Sequence, residues 1–348
     1  MRRHTLITGG AGFVGTNLAD RLLSEGERVV VLDNVSRAGV EENVRFLTER
    51  HGGRVDLEEA DVRDRAAVAR AVRGARNVFH LAGQVAVTTS LDDPVDDATV
   101  NVQGTLNLLE EVRAQVRPVP VVFTSTNKVY GTLDDVELVE RGTRYEPGAD
   151  SIRAAGVGEW RPLQFATPYG CSKGAADQYV VDYSHSYRLP TVVFRMSCIY
   201  GTHQMGNEDQ GWVAHFLIRA LEGEPITIYG DGKQVRDVLY VDDLVAALRR
   251  ASADASALAG RAFNIGGGPA NAISLLELID MIGELRGEPV AVEHEEWRQG
   301  DQRFYVSDTS AFTAATGWRP RTAPADGLRK LHAWLEERAA ARTAAAAA

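Results

Sequence analysis

The chain has 348 residues, 44% of them hydrophobic, and its 38 Lys and Arg against 48 Asp and Glu leave a net charge of −10. That length suits two lobes sharing a cleft, and a charged content of 25% argues against disorder. An acidic chain with no strongly basic stretch argues against nucleic acid as a partner, while leaving room for a local basic pocket for a phosphorylated small molecule.

Cys171 and Cys198 are the only cysteines, so neither a disulfide framework nor a metal site is expected, and a reducing cytoplasm fits. The opening "MRRHTLITGGAG" runs straight into a strand and turn, with no apolar signal-peptide segment. No run of about 18 apolar residues predicts a membrane span.

Six apolar runs predict strands: 5–8, 28–34, 55–61, 77–83, 119–125 and 191–197. Helical patterns lie between them, at Gly15–Gly26, Asp64–Arg73, Asn101–Val116 and Cys171–Tyr187. Continuous apolar runs alternating with helices predict an α/β fold, a doubly wound parallel Rossmann sheet with helices on both faces. After residue 198 the rhythm breaks into turns such as "YGDGKQ" and "NIGGGP", which predicts a smaller α/β substrate-binding lobe. We expect residues 1–197 with 236–265 in the dinucleotide lobe and 198–235 with 266–338 in the smaller one. The Ala-rich end, 339–348, has no amphipathic face and is expected to fray as a disordered tail. Residues 134–165 form a long charged insertion, expected as a loop over the substrate.

The first strand runs into "TGGAGFVG", in which Gly9, Gly12 and Gly15 form G-x-x-G-x-x-G. Glycine there allows a tight turn, backbone approach to a pyrophosphate and close packing of helix on strand. The helix start then offers N–H groups and a positive dipole to phosphate. Asp33 ends the second strand 18 positions after Gly15, where a carboxylate bonds the ribose hydroxyls of NAD. Arg37 could offset a 2′-phosphate and keeps NADP open. Asp61 reads as an adenine contact or equally as a solvated loop acid.

"PYGCSK" sets Tyr169 and Lys173 four apart, on one face of a helix. A free phenol, with a pKa of about 10, is a poor base at neutral pH; a nearby ammonium would lower that value. The pair can then take a proton from an alcohol as hydride leaves its carbon. The strand end "TSTNKVYG" supplies Thr126 to hold the same oxygen. Gln84, Thr88 and Ser90 follow the fourth strand, and Ser197 and Cys198 the sixth, all facing the same region. Cys198 has no adjacent base and is not read as a nucleophile. Trp212 in "DQGWV" reads as core or as pocket wall.

In this order, "TGGAGFVG", "HLAG", "TSTNKVYG" and "PYGCSK" resemble the extended short-chain dehydrogenase/reductases, the NAD-dependent sugar-nucleotide epimerases and dehydratases, over about residues 4–335. Longer strings, among them "HLAGQVAVTTS", "GDGKQVRDVL" and "DQRFYVSD", resemble most the members that invert C2 of a CDP-linked hexose. The resemblance implies tightly held NAD, a nucleoside-diphosphate sugar as substrate, and a homodimer through a four-helix bundle. It carries over Thr126, Tyr169 and Lys173 as catalytic residues. It extends the cofactor set to Phe13, Val14, Asn34, Ser36 and Val62, and further along the chain to Leu81, Ala82, Gly83, Thr124 and Met196. For the substrate it adds Asn127, Gln210, Arg236 and Arg303, the arginines as clamps on nucleotide or diphosphate.

Dehydratases of the family carry an Asp-Glu pair directly after the catalytic Thr to eliminate water. Here the two positions are Asn127 and Lys128, so epimerisation through a transient keto sugar is expected, with no elimination. Lys128 reads as substrate-facing or as an ion-pair partner. The rival readings are C4 epimerisation of a UDP-sugar, a net NAD(P)-dependent reduction, and a dinucleotide-sensing protein without turnover.

Overall fold

The computed structural model describes residues 3–346. Its centre is a seven-stranded, all-parallel sheet of β1 (His4–Thr8), β2 (Val29–Asp33), β3 (Val55–Glu59), β4 (Ala75–His80), β5 (Val121–Thr126), β6 (Thr191–Met196) and β7 (Arg261–Ile265). The spatial order is β7-β6-β5-β4-β1-β2-β3. The strand order turns back between β1 and β4, and beyond the carboxyl ends of strands at such a reversal a crevice opens for ligands.

The apolar runs are continuous because both faces of the sheet are covered. Leu6, Val121 and Val193 join one core; their neighbours Ile7, Val122 and Val192 join the other. Successive side chains point to opposite faces, so a strand buried on both sides cannot alternate with polar residues. Burying each such side chain contributes about 1.5–3 kcal/mol. β3, at the sheet edge, has no buried residue, and its Leu57 is exposed.

A buried relay stitches β1, β4 and a helix together. Ala82 N–H donates to Thr8 Oγ1 (3.3 Å), and Thr8 Oγ1 to His80 Nδ1 (2.7 Å). His80 Nε2 donates to Thr105 Oγ1 (3.0 Å), which donates to the Asn101 carbonyl (2.6 Å). The two threonine hydroxyls, each with one proton to give, hold His80 as a neutral tautomer. Burial, joined by the charge of Lys173, lowers its pKa to about 3.

Val235–Tyr240 lies outside the central sheet, although its residues from 236 onward were expected in the dinucleotide lobe. It pairs with Cys198–Tyr200, Ala272–Ser274 and Phe304–Tyr305. Residues 134–165 are no simple loop. Leu138–Arg141 and Arg144–Pro147 form an antiparallel hairpin, followed by the helix Asp150–Ala155. Val136 and Val157 pack on Tyr130 and Tyr305, which draws the insertion onto the body of the protein.

The expected fraying tail is also corrected. A helix runs from Pro324 to Ala346, and Arg338 pairs with Glu42 at 2.9 Å. Alanine loses the least entropy on entering a helix, and no glycine or proline occurs from Leu328 to Ala346. Residues 347–348 of the expected tail lie outside the described residues. Among the described residues, no helix is long and apolar enough to cross a membrane.

Candidate active site

Six strand ends and the turns after them meet at the crevice. The turn after β1 brings Gly9, Gly12 and Gly15. Gly9 has φ +67°, and a Cβ on it would lie 2.7 Å from Ala82 N; one on Gly15 would lie 2.5 Å from Gly10 Cα. Only glycine lets the turn, the helix Phe13–Ser24 and the β4 end come this close. Asp33, at the end of β2, accepts hydrogen bonds from Ala11 N (3.0 Å) and Val35 N (2.9 Å). Its carboxylate is thereby set at the rim of the glycine turn.

These groups border a cavity of about 600 Å³. Every residue expected at the cofactor lines it: Phe13 and Val14 with the three glycines; Asn34, Ser36 and Arg37 beside Asp33; Asp61 and Val62 after β3; Leu81, Ala82 and Gly83 after β4; and Thr124, Tyr169, Lys173 and Met196. The Arg37 guanidinium donates to Gln210 Oε1 at 2.6 Å, bridging the β2 loop to the opposite wall. Asp61 is held by the Arg63 fork and by Asn34 Nδ2 (3.2 Å), and these contacts, led by the Arg63 hydrogen bond, keep its carboxyl below the usual range. It is an engaged loop acid that also faces the cavity.

A second cavity, of about 480 Å³, adjoins the first and shares Phe13, Val14, Ser125, Tyr169, Met196 and Gln210 with it. Thr126 belongs here, paired in register with Met196 across β5 and β6. Tyr169 and Lys173 enter from the helix Thr167–Tyr187, which starts with Pro168 in its first turn. Thr167 has φ +64°, a conformation that β-branched residues rarely adopt, and Ser90 Oγ accepts the Tyr169 N–H at 3.1 Å. Together these restraints aim the phenol at the junction of the two cavities.

The electrostatics differ from expectation. Lys173 Nζ donates to the Thr124 carbonyl at 2.6 Å and sits 4.3 Å from the centre of the Phe123 ring. Burial lowers its pKa to about 8, against the pull of Asp177 and Asp97. The Tyr169 phenol is pushed up to about 12, not down, because desolvation outweighs the help of Thr126 and Arg37. The ammonium gives one of its three N–H groups to a carbonyl, and a further positive charge is needed to favour the phenolate.

The expected substrate residues divide. Thr88, Thr126, Asn127, Ser197, Gln210 and Arg236 line the second cavity. Gln84 lines the first, but its amide folds back on the backbone of Ala86 (2.7 and 2.8 Å). Ser90 lines neither; it is fully buried and anchors Tyr169. Arg303 lines neither cavity: it is exposed and lies over Trp297 and Tyr145. Alternation along Arg303–Phe304 is the reason, since the buried Phe304 turns its neighbour outward. The insertion 134–165 contributes no lining residue to either cavity, which corrects its expected role as a cover.

Two positions at the site were missed from the sequence. Arg298 lines the second cavity 3.7 Å over the Tyr229 ring and pairs with Glu208 at 3.0 Å. It lies just before the Gly300–Asp301 turn, and nothing local says which flank of that turn faces inward. Asn101, in a π-turn at Thr99–Gln103, donates to the Gln84 carbonyl (3.1 Å) and Ser172 Oγ (2.9 Å) and accepts Gln84 N–H (3.0 Å). It pins the loop after β4, and such π-turns often mark functional positions. Trp212, read as core or pocket wall, lines the second cavity with the ring of Phe216 against it.

The comparisons with known proteins agree with this geometry. The profile of the NAD dependent epimerase/dehydratase family matches residues 5–266. The chain belongs to that family. CDP-paratose 2-epimerase of Salmonella typhi is 43% identical over 336 residues, covering 94% of this chain and 98% of the relative. UDP-glucose 4-epimerase of Mycolicibacterium smegmatis is 35% identical, covering 94% and 96%. Among solved structures, the Thermus thermophilus UDP-glucose 4-epimerase in complex with NAD superposes with a TM-score of 0.79 at 32% identity, covering 96% of this chain and 99% of that one. For this family member NAD is the cofactor, and the glycine turn, the Asp33 carboxylate and the 600 Å³ cavity fit it.

Proposed function

We propose that the protein inverts C2 of a CDP-linked hexose through a transient keto sugar. The observation that carries this reading is the convergence of Thr126, Tyr169 and Lys173 between the two cavities, with Asn127 and Lys128 where elimination needs acids. The sequence likeness to a CDP-paratose 2-epimerase supports C2 and the cytidine nucleotide.

Bound NAD⁺ supplies a hydride acceptor that can return the same hydride, and a positive ring that favours the Tyr169 phenolate. Tyr169 takes the proton of the sugar hydroxyl and later gives it back. Thr126 Oγ1 shares that oxygen and orients it. Lys173, clamped on the Thr124 carbonyl, keeps the cofactor side of the pocket in place. Arg298 and Arg236 supply cations for the diphosphate, Arg236 with part of its fork already spent on Asp301 at 2.7 Å. The second cavity offers room for the keto sugar to present its other face.

The same catalytic set would serve C4 of a UDP-sugar, which the 35% relative represents. Incubation with CDP-, UDP-, GDP- and dTDP-hexoses, followed by NMR at C2 and C4, decides between them. C2 inversion of a CDP-hexose is expected, with deuterium at that carbon retained. Exclusive C4 inversion or loss of water overturns the reading.

The wider organisation belongs to this proposal. The sheet with its glycine turn forms the dinucleotide lobe, and the segments after residue 198 the sugar-nucleotide lobe. Two copies pair through the helices Gly104–Arg113 and Thr167–Tyr187, a reading supported by the exposed Tyr179 and Tyr187. The two free cysteines fit the cytoplasm.

A further inference from the structure

The residues that replace the dehydratase acids are not equally available. Asn127 is spoken for: its Nδ2 donates to the buried Gln302 Oε1 (3.1 Å), and its Oδ1 accepts from Thr126 Oγ1 (3.3 Å). Gln302 is held in turn by the Gly131 carbonyl at 2.6 Å. Lys128 differs. Its ammonium has three donors, of which one is satisfied, by the Gly300 carbonyl at 3.0 Å. Its ion-pair partner Asp301 stands 3.9 Å away, beyond hydrogen-bond distance, and the nearer oxygen of Asp301 is already taken by Arg236 at 2.7 Å. Lys128 keeps about a fifth of its side chain exposed and lines the second cavity beside Thr126. A desolvated cation with unfilled donors is costly unless something completes its shell.

We propose that Lys128 is a substrate-contact residue, its free N–H groups donating to a hydroxyl or keto oxygen of the hexose ring and holding that ring against Thr126 and Tyr169. The proposal rests on the epimerase reading of the same site. A sugar oxygen fits better than a phosphate oxygen because Lys128 is two residues from Thr126, at the reacting end, whereas Arg298 lies toward the Tyr229 end. Substrate would then complete the ammonium's shell with neutral oxygens, without adding charge.

The test compares wild type, Lys128→Met and Lys128→Gln in three measurements: thermal midpoint, affinity for CDP alone, and C2 inversion of the CDP-hexose that wild type turns over. Absence of turnover by wild type on every CDP-hexose overturns the epimerase reading itself, and with it this assignment. With wild type active, the expected result for both variants is CDP affinity within about twofold of wild type and kcat/KM lower by about 10- to 100-fold, the loss expected of a charged hydrogen bond. The glutamine variant, which retains a donor, should lose less than the methionine variant. CDP affinity and turnover falling in parallel would show that Lys128 merely pins the segment at Gly300 or binds phosphate, and would overturn the proposal. So would turnover unchanged within twofold. Should the methionine variant fail to fold, the glutamine variant gives the same comparison.

Discussion

Arg195 grips Asp177 with two parallel hydrogen bonds, of 2.9 and 3.0 Å, beneath the helix that carries Tyr169 and Lys173. Asp177 is fully buried and Arg195 nearly so. Arg195 also donates to Tyr130 Oη (3.2 Å), which donates to Asn264 Oδ1 (2.8 Å), so one network joins β6, β7, the catalytic helix and the turn after β5. Removing one member leaves a buried charge unpaired. Asp177→Asn should cost about 3–5 kcal/mol of stability, read as a lower urea midpoint at unchanged m-value.

Tyr169→Phe removes the proposed proton acceptor and leaves the glycine turn untouched. Turnover should fall about 10²- to 10⁴-fold while NAD content stays at the wild-type level. The phenol offers a second readout. In cofactor-free protein, the absorbance difference between wild type and this variant should show ionisation only near pH 12, because burial dominates. Loading with NAD⁺ should bring that midpoint down. An unmoved midpoint would mean that the tyrosine is not the base.

Acid should destabilise the fold through the buried His80 and the half-buried His203, lowered by desolvation from about 6.5 to about 3 and about 4 respectively. Between those values and about 6.5 the unfolded chain binds protons that the folded one refuses, so stability falls as pH falls across this window. Each histidine contributes a slope of up to about 1.4 kcal/mol per pH unit. Urea titrations at pH 7, 6 and 5 check this, and His80→Gln should flatten part of the slope.

Gly15→Ala tests the cradle. The added Cβ meets the backbone of Gly10 at 2.5 Å, where no flexible side chain can yield. Loss of copurifying NAD is expected, with destabilisation of about 1–3 kcal/mol by thermal melting.

The Rossmann sheet was legible in the sequence because strands buried on both faces write themselves as apolar runs, as at Val121–Phe123. The cofactor set was legible for a related reason: the turns that follow those strands lie at one edge of the sheet, so Gly9, Asp33, Leu81, Thr124 and Met196 converge wherever the strands are parallel. The substrate wall was not. Arg298 and Arg303 flank the same turn, and only packing sends Arg298 into the cavity and Arg303 outward beside the buried Phe304. Ser90, expected at the sugar, is instead turned under the catalytic helix by the helical segment that carries it.

Local pattern alone therefore determined the family, the parallel sheet, the dinucleotide cradle and the Thr126–Tyr169–Lys173 set. These depend on short-range geometry: strand, tight turn, helix start and a four-residue spacing. Only the tertiary structure decided how those groups are charged and which side chains remain free. Desolvation raises Tyr169 and lowers Lys173, and contacts 172 to 175 residues away in the chain tie Asn127 to a buried Gln302 and leave Lys128 with one carbonyl partner. Burial and long-range partners are properties of packing, and no stretch of residues contains them.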